Sequence, residues 1–214
     1  FYDRNRRLQG VFAAARDITE RKQAEKQILK LALHDSLTRL PNRHLLNERL
    51  GQTMVFSKRS GRHSALMFLD VDHFKTLNDT HGHLAGDLLL IEMARRISSC
   101  VRQADTVARF GGDEFVVLLS ELDKNKTEAR AHAGMVAEKI RIALSSPYLL
   151  EMTHGETKPD EETTIEYHCT TSIGVVVFLC QEGSQEDIMK WADTAMYQAK
   201  ESGRNLIRFY TPGA

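Results

Sequence analysis

The stretch that most limits what this chain can become is Arg109-Phe110-Gly111-Gly112-Asp113-Glu114-Phe115-Val116-Val117-Leu118-Leu119. Residues 115–119 hold no polar position, so they read as a strand buried on both faces. Two glycines in front of that strand permit a hairpin turn with positive φ and a close approach of backbone to a ligand. Asp113 and Glu114 follow at once. Adjacent carboxylates at the mouth of a buried strand cost stability unless a cation or a bound group satisfies them. Taken alone, the piece also fits a solvated turn, so a second carboxylate strand is needed to decide.

That second strand is Ser64-Ala65-Leu66-Met67-Phe68-Leu69-Asp70-Val71-Asp72, an apolar run that ends in two acids. Strand alternation places Asp70 and Asp72 on one side with Val71 between them. Residues 73–80 then read as a short helix carrying Phe74, Lys75, Asn78 and Asp79. Helix amides beside a strand-end carboxylate form a natural triphosphate cradle, in which the acid holds a cation and the amides and a lysine hold oxygens. His81-Gly82-His83 breaks this helix and opens a longer one over 84–102. With no cysteine or further histidine nearby, the two histidines suit hydrogen bonding by His83 better than a metal site.

Upstream, residues 19–33 are rich in helix formers, with Ala24, Ile28 and Leu31 on one stripe and Thr19 placed to cap. The stripe serves either a solvated charged helix or a connector that pairs with its twin in a dimer. A turn-rich join at 34–43 follows, where Pro41 stops one helix, Asn42 caps the next, and Asp35 is expected to pair with Arg43. Downstream lie an amphipathic helix over 124–144, a polar protruding hairpin over 148–168 tipped by Lys158-Pro159-Asp160, and a buried strand over 170–179. A helix over 187–203 and a last strand over 206–210 close the chain.

Composition closes off several alternatives. The chain has 214 residues, 42% hydrophobic and 27% charged, with a formal net charge of +0. The balanced charge removes any general case for nucleic-acid or membrane-surface binding. Cys100, Cys169 and Cys180 lack metal-ligand spacing and read as reduced thiols of a cytoplasmic protein. The longest apolar run, 173–180, is far short of the roughly 20 residues that cross a bilayer. A start at Phe1 with no Met reads as a fragment whose upstream part is missing, which leaves membrane association of a parent chain open.

The expected fold is therefore α+β, an α/β sandwich with a mixed central sheet, because the Gly-Gly hairpin sets two strands antiparallel among alternating helices. Carboxylates from neighbouring strands disfavour joint ionisation without a cation. Hard oxygen donors select Mg²⁺ or Mn²⁺, which suit in-line displacement at phosphorus. The residues alone thus point to a metal-dependent nucleotide enzyme.

The chain resembles the GGDEF family of diguanylate cyclases. The blocks that carry the resemblance are His34-Asp35-Ser36-Leu37-Thr38-Arg39-Leu40-Pro41-Asn42-Arg43, the run from Asp70 to Asp79, Gly82-His83-Leu84-Ala85-Gly86-Asp87, the run from Arg109 to Phe115, and Ala195-Met196-Tyr197-Gln198-Ala199-Lys200 with Gly203-Arg204-Asn205. Residues 1–18, with Arg16-Asp17-Ile18-Thr19-Glu20-Arg21 at their exit, resemble the last part of a PAS sensor domain. Residues 19–34 would then be a connector helix and 35–211 the cyclase domain.

The resemblance implies a palm-like sheet on which two GTP condense to cyclic di-GMP and two pyrophosphates. It implies that Asp70, the Val71 carbonyl and Asp113 hold Mg²⁺ with Glu114 beside it, and that Asp113 helps deprotonate the attacking 3′-hydroxyl. Asn78 and Asp87 would read the guanine edge and His83 would support the nucleotide. Lys75, the amides of His73 and Phe74, and Lys200 with Arg204 would hold phosphates. One domain holds one GTP, so a symmetric homodimer is expected. An inhibitory product site is implied at Arg102 and Asp105, with Lys139 where a further basic residue is usual. The rival reading is a non-catalytic cyclic di-GMP receptor that uses the same Arg102 and Asp105.

Overall fold

The computed structural model of the chain describes residues 5, 19, 20, 22, 31–153 and 162–211. The chain divides into two units, Phe1–Ala32 and Leu33–Ala214. Of the first, Thr19, Glu20, Lys22, Leu31 and Ala32 are helical. The PAS-like piece, most of the connector stripe and the Lys158-Pro159-Asp160 tip lie outside the described residues. Among the described residues, no helix is long and apolar enough to cross a membrane.

The second unit is built on strands β1 (Ser64–Val71), β2 (Thr106–Gly111), β3 (Glu114–Leu119), β4 (Tyr148–Thr153), β5 (Glu162–Tyr167), β6 (Thr171–Phe178) and β7 (Ile207–Phe209). Its helices are α1 (Arg43–Ser60), α2 (Phe74–Cys100), α3 (Lys126–Ser145) and α4 (Gln185–Glu201). The main sheet runs β2-β3-β1-β6-β7, and β4-β5 form a separate hairpin. All neighbours are antiparallel except β6 and β7, so the sheet is mixed as expected.

The alternation of β1 sorts the helices. Ala65, Met67, Leu69 and Val71 join the core that α2 and α3 cover, while Leu66 and Phe68 join the one that α1 and α4 cover. Both central strands, β1 and β6, are buried along their whole length. That accounts for their unbroken apolar sequences.

Helix boundaries follow local chemistry. The Asn42 side chain accepts from the His44 and Leu45 amides, and the Asn125 side chain from those of Thr127 and Glu128. Ser184 and Asp187 form a reciprocal capping box at α4. Helix α2 breaks at Gly82, whose φ of 82° and ψ of 167° lie outside the helical region. A glycine there costs little for a conformation that other residues resist.

Two expectations need correction. Asp35 does not pair with Arg43: its carboxylate takes the Arg109 guanidinium at 3.1 Å, and Arg43 instead lies over the Phe110 ring at 4.6 Å. The 148–168 segment is not merely a polar projection. Tyr148, Leu150 and Met152 alternate inward along β4 and are buried in the main core, an arrangement that the polar composition of the segment concealed.

Candidate active site

The two carboxylate strands lie side by side, and the last pair in the β1–β3 register is Asp70 with Glu114. Asp113 stands in the turn just before β3, after Gly112, whose φ is 52°. The turn is held from outside. Arg109 donates from Nε and Nη2 to the Gly112 carbonyl at 2.9 and 2.7 Å, and from Nη1 to both Asp35 oxygens.

Asp70 is only 8% exposed. Burial pushes its carboxyl above the usual value of 3.8, the charges of Asp113 and Asp72 add to that, and a hydrogen bond from Lys200 opposes it. Lys200 Nζ lies 2.7 Å from Asp70 Oδ1. Glu114 is likewise raised from 4.5, first by burial and then by the charges of Asp70, Asp193 and Asp113, with Lys200 acting against them. Acids from β1, the hairpin and α4 therefore crowd one edge of the sheet. Asp72 does not join this group. It lies beyond the end of β1, and its carboxylate accepts from Thr170 Oγ1 and Ser172 Oγ, each at 2.7 Å, and from the Asn205 amide at 3.1 Å.

Helix α2 starts beside this edge. His73 is its N-cap in a left-handed conformation (φ 61°), with no side-chain cap on the first-turn amides. Amides left without a side-chain acceptor are suited to an anion. Lys75 is exposed on the first turn, and His83 and Asp87 are exposed beyond the Gly82 break. Gly86 backs directly onto Asn78 and Phe74: a Cβ there would collide with Asn78 Oδ1. The break thus folds the Asn78 carboxamide against the turn that carries Asp87. Arg204 is exposed in the loop after α4, also left-handed at φ 61°.

Sequence reasoning passed over Asp193. It stands seven residues before Lys200 on α4, two turns along the same face, and that spacing is the signal that could have found it.

At the Arg102–Asp105 turn, Asp105 accepts from the backbone amides of Arg102 and Ser120. The Arg102 guanidinium meets His132 Nε2 at 3.1 Å. Lys139 donates to the Cys100 and Ser99 carbonyls at the end of α2. All three residues gather at this corner, but Lys139 is engaged as a helix C-terminal cation.

The donors Asp70, Asp113, Glu114 and the Val71 carbonyl are hard oxygens, and the carboxyls of Asp70 and Glu114, raised first by burial and then by neighbouring acids, fit a hard divalent cation. Among the described residues no group of three or more His, Cys, Asp or Glu side chains is gathered closely enough to hold a metal ion by itself.

A mixed sheet flanked by helices, with paired carboxylates at a strand edge beside a helix N-terminus, defines an α+β domain of the nucleotide-handling type. The chain belongs to the family described as Diguanylate cyclase, GGDEF domain, which it matches over residues 32–206. It is 42% identical over 189 residues to the bifunctional diguanylate cyclase/cyclic di-GMP phosphodiesterase MucR of Pseudomonas aeruginosa, covering 87% of this chain and 25% of that protein. Among solved structures it is similar to the GGDEF domain of TpbB (YfiN) from P. aeruginosa, with TM-score 0.72 and 34% identity over 83% of this chain and 94% of that one. It is also similar to the coiled coil and GGDEF domain of DgcB from Caulobacter crescentus in complex with c-di-GMP, with TM-score 0.75 and 27% identity over 90% and 93% of the two chains. The chain spans about a quarter of the length of curated relatives such as MucR.

Proposed function

We propose that this chain is a diguanylate cyclase that joins two GTP into cyclic di-GMP with release of two pyrophosphates. The observation that carries the reading is the cross-strand pair of Asp70 and Glu114, with Asp113 in the adjoining turn and the amides of α2 alongside. Membership of the family and the intact acids favour catalysis over the receptor reading.

In this reading Asp70, Asp113, Glu114 and the Val71 carbonyl hold Mg²⁺ or Mn²⁺. The bound ion supplies charge neutralisation at the triphosphate and acidity to the attacking 3′-hydroxyl. The chain's own groups do the rest. Asp87 accepts from the N–H groups of the guanine edge, the Asn78 carboxamide reads that edge beside it, and His83 supports the nucleotide. The His73 and Phe74 amides and Lys75 hold phosphate oxygens as charge builds, with Lys200 and Arg204 on the pyrophosphate side. Asp113 takes the proton of the 3′-hydroxyl.

A second GTP must be presented by a second copy, so the active form is a homodimer whose facing is set by the connector helix and an upstream PAS-like sensor. Product inhibition acts through Arg102 and Asp105. The setting is cytoplasmic, with no nucleic-acid partner. Incubation of the chain with GTP and Mg²⁺ tests the reading: cyclic di-GMP from the native chain and none from Asp113→Ala is the expected result, and GTP returned intact by both would remove it.

A further inference from the structure

The protein supplies a cation of its own to the carboxylate that the site offers to metal. Lys200 Nζ lies 2.7 Å from Asp70 Oδ1, with the lysine side chain 29% and the aspartate side chain 11% exposed. The same ammonium offsets the charge of Glu114. The internal counter-ion of Asp70 is therefore carried on the last turn of α4, within reach of the field of Glu114 on the adjacent strand.

A divalent ion on Asp70 cannot leave this arrangement as it is. It competes with the ammonium for one carboxylate and repels it at close range. The lysine stem is flexible and its head is a compact, rotatable charge, so it can leave without any movement of the helix. Triphosphate oxygens would give the ammonium a new partner.

We propose that Lys200 is the resident counter-ion of Asp70, displaced when metal and triphosphate arrive, so that it suppresses metal binding in the absence of nucleotide. The inference rests on the reading of this edge as a metal–triphosphate site. It assigns Lys200 two successive partners, and it makes metal and nucleotide binding mutually supportive, since each removes a cost that the other would meet alone.

The test is a Mn²⁺ titration of the full chain without nucleotide, followed by the electron paramagnetic resonance of free Mn²⁺. Lys200→Met should bind Mn²⁺ about tenfold more tightly than the native chain, taking as guide the factor of ten or more by which a neighbouring opposite charge weakens a carboxylate's hold on a proton. Lys200→Arg, which keeps the charge, should stay close to native. Combining Asp70→Asn with Lys200→Met should erase the gain. In EDTA, Lys200→Met should unfold at a lower temperature than the native chain and recover on addition of Mn²⁺, which shows that the variant folds.

Mn²⁺ affinity in Lys200→Met equal to or below native overturns the proposal, and so does a gain that survives Asp70→Asn. Failure of the native chain to make cyclic di-GMP, alongside tighter Mn²⁺ binding by Lys200→Met, would remove the catalytic reading and leave the counter-ion role standing.

Discussion

Arg109 ties Asp35 to the carbonyl of Gly112, so the segment at the start of the domain and the turn that carries Asp113 share one guanidinium. All three of its nitrogens are used, Nε and Nη2 on the Gly112 carbonyl and Nη1 on Asp35, an arrangement that lysine cannot reproduce. Both partners are largely sheltered, with side-chain exposures of 14% and 21%. The bond crosses 74 positions of sequence. A second link, from the Arg109 amide to the Pro41 carbonyl, runs beside it.

Arg109→Ala should therefore cost about 1.5–3 kcal/mol, the range for hydrogen bonds to charged groups. Urea unfolding measures it. Arg109→Lys should recover only part of the loss, and both variants should slow turnover through a loosened hairpin. A full recovery by lysine would show that charge alone matters here.

The Asp35 carboxyl adds a pH signature. Burial works to raise it, but hydrogen bonds from the Thr38 amide and hydroxyl, with Arg109, outweigh burial and hold it below 3.8. The folded state thus releases this proton more readily than the unfolded one. Its contribution is complete above about 3.8 and disappears as pH falls through the lower folded value. Asp35→Asn should be less stable than the native chain at pH 7, and the gap should narrow below pH of about 3.8. Parallel stability curves down to the acid limit would count against the assignment.

Asp70 and Glu114 work in the opposite sense. Their raised values mean that the folded state holds these protons more tightly, so the stability of the cation-free protein falls as pH rises from about 3.8–4.5 through the folded values. Above them the full cost is in place. At pH 7 in EDTA, Glu114→Gln should be more stable than the native chain by about 0.5–1 kcal/mol, a modest figure because solvent screens part of the repulsion. It should also lose most cyclase activity. A destabilised Glu114→Gln would mean that an internal partner, rather than repulsion, governs this side chain.

Much of this site is legible in the sequence, for reasons that are local. The Gly-Gly turn between two apolar arms, the acid at the end of β1 and the break at Gly82 each follow from a few adjacent residues. What the sequence conceals is long-range. Alternation assigns Asp72 to the same side as Asp70, yet Thr170 and Ser172, about 100 positions away, claim its carboxylate. Asp35 has a basic neighbour in Arg43, but the partner that wins stands 74 residues on. Asp193 is marked only by its spacing of seven from Lys200, a weak sign because an acid on an exposed helix face is ordinary until the strand opposite is known.

Asp72 can be tested as a purely structural group. Its two oxygens satisfy two hydroxyls and the Asn205 amide, and it is 3% exposed. Asp72→Ala leaves those neutral donors unpaired in the interior and should cost about 1–3 kcal/mol, the scale for leaving a buried donor unsatisfied. Asp72→Asn should cost less, because one carbonyl oxygen still accepts. Chemical denaturation of both variants ranks them, and equal losses would show that the charge itself is what is needed.

The corner of Arg102, Asp105 and Lys139, proposed above as a product site, separates two roles that family resemblance would merge. Asp105 spends its carboxylate on the amides of Arg102 and Ser120, which fixes the turn, while the Arg102 guanidinium projects towards His132 and remains exposed. Lys139 instead caps the carbonyl end of α2 through Cys100 and Ser99. A cation there stabilises the helix by about 0.3–1 kcal/mol. Arg102→Ala should therefore relieve inhibition by added cyclic di-GMP with little effect on stability, whereas Lys139→Ala should lower stability by that small amount and leave inhibition in place. Progress curves at increasing cyclic di-GMP, read beside thermal melts, distinguish the two. Inhibition lost in Lys139→Ala would return that lysine to the product site, and inhibition retained in Arg102→Ala would move the product site elsewhere on the domain.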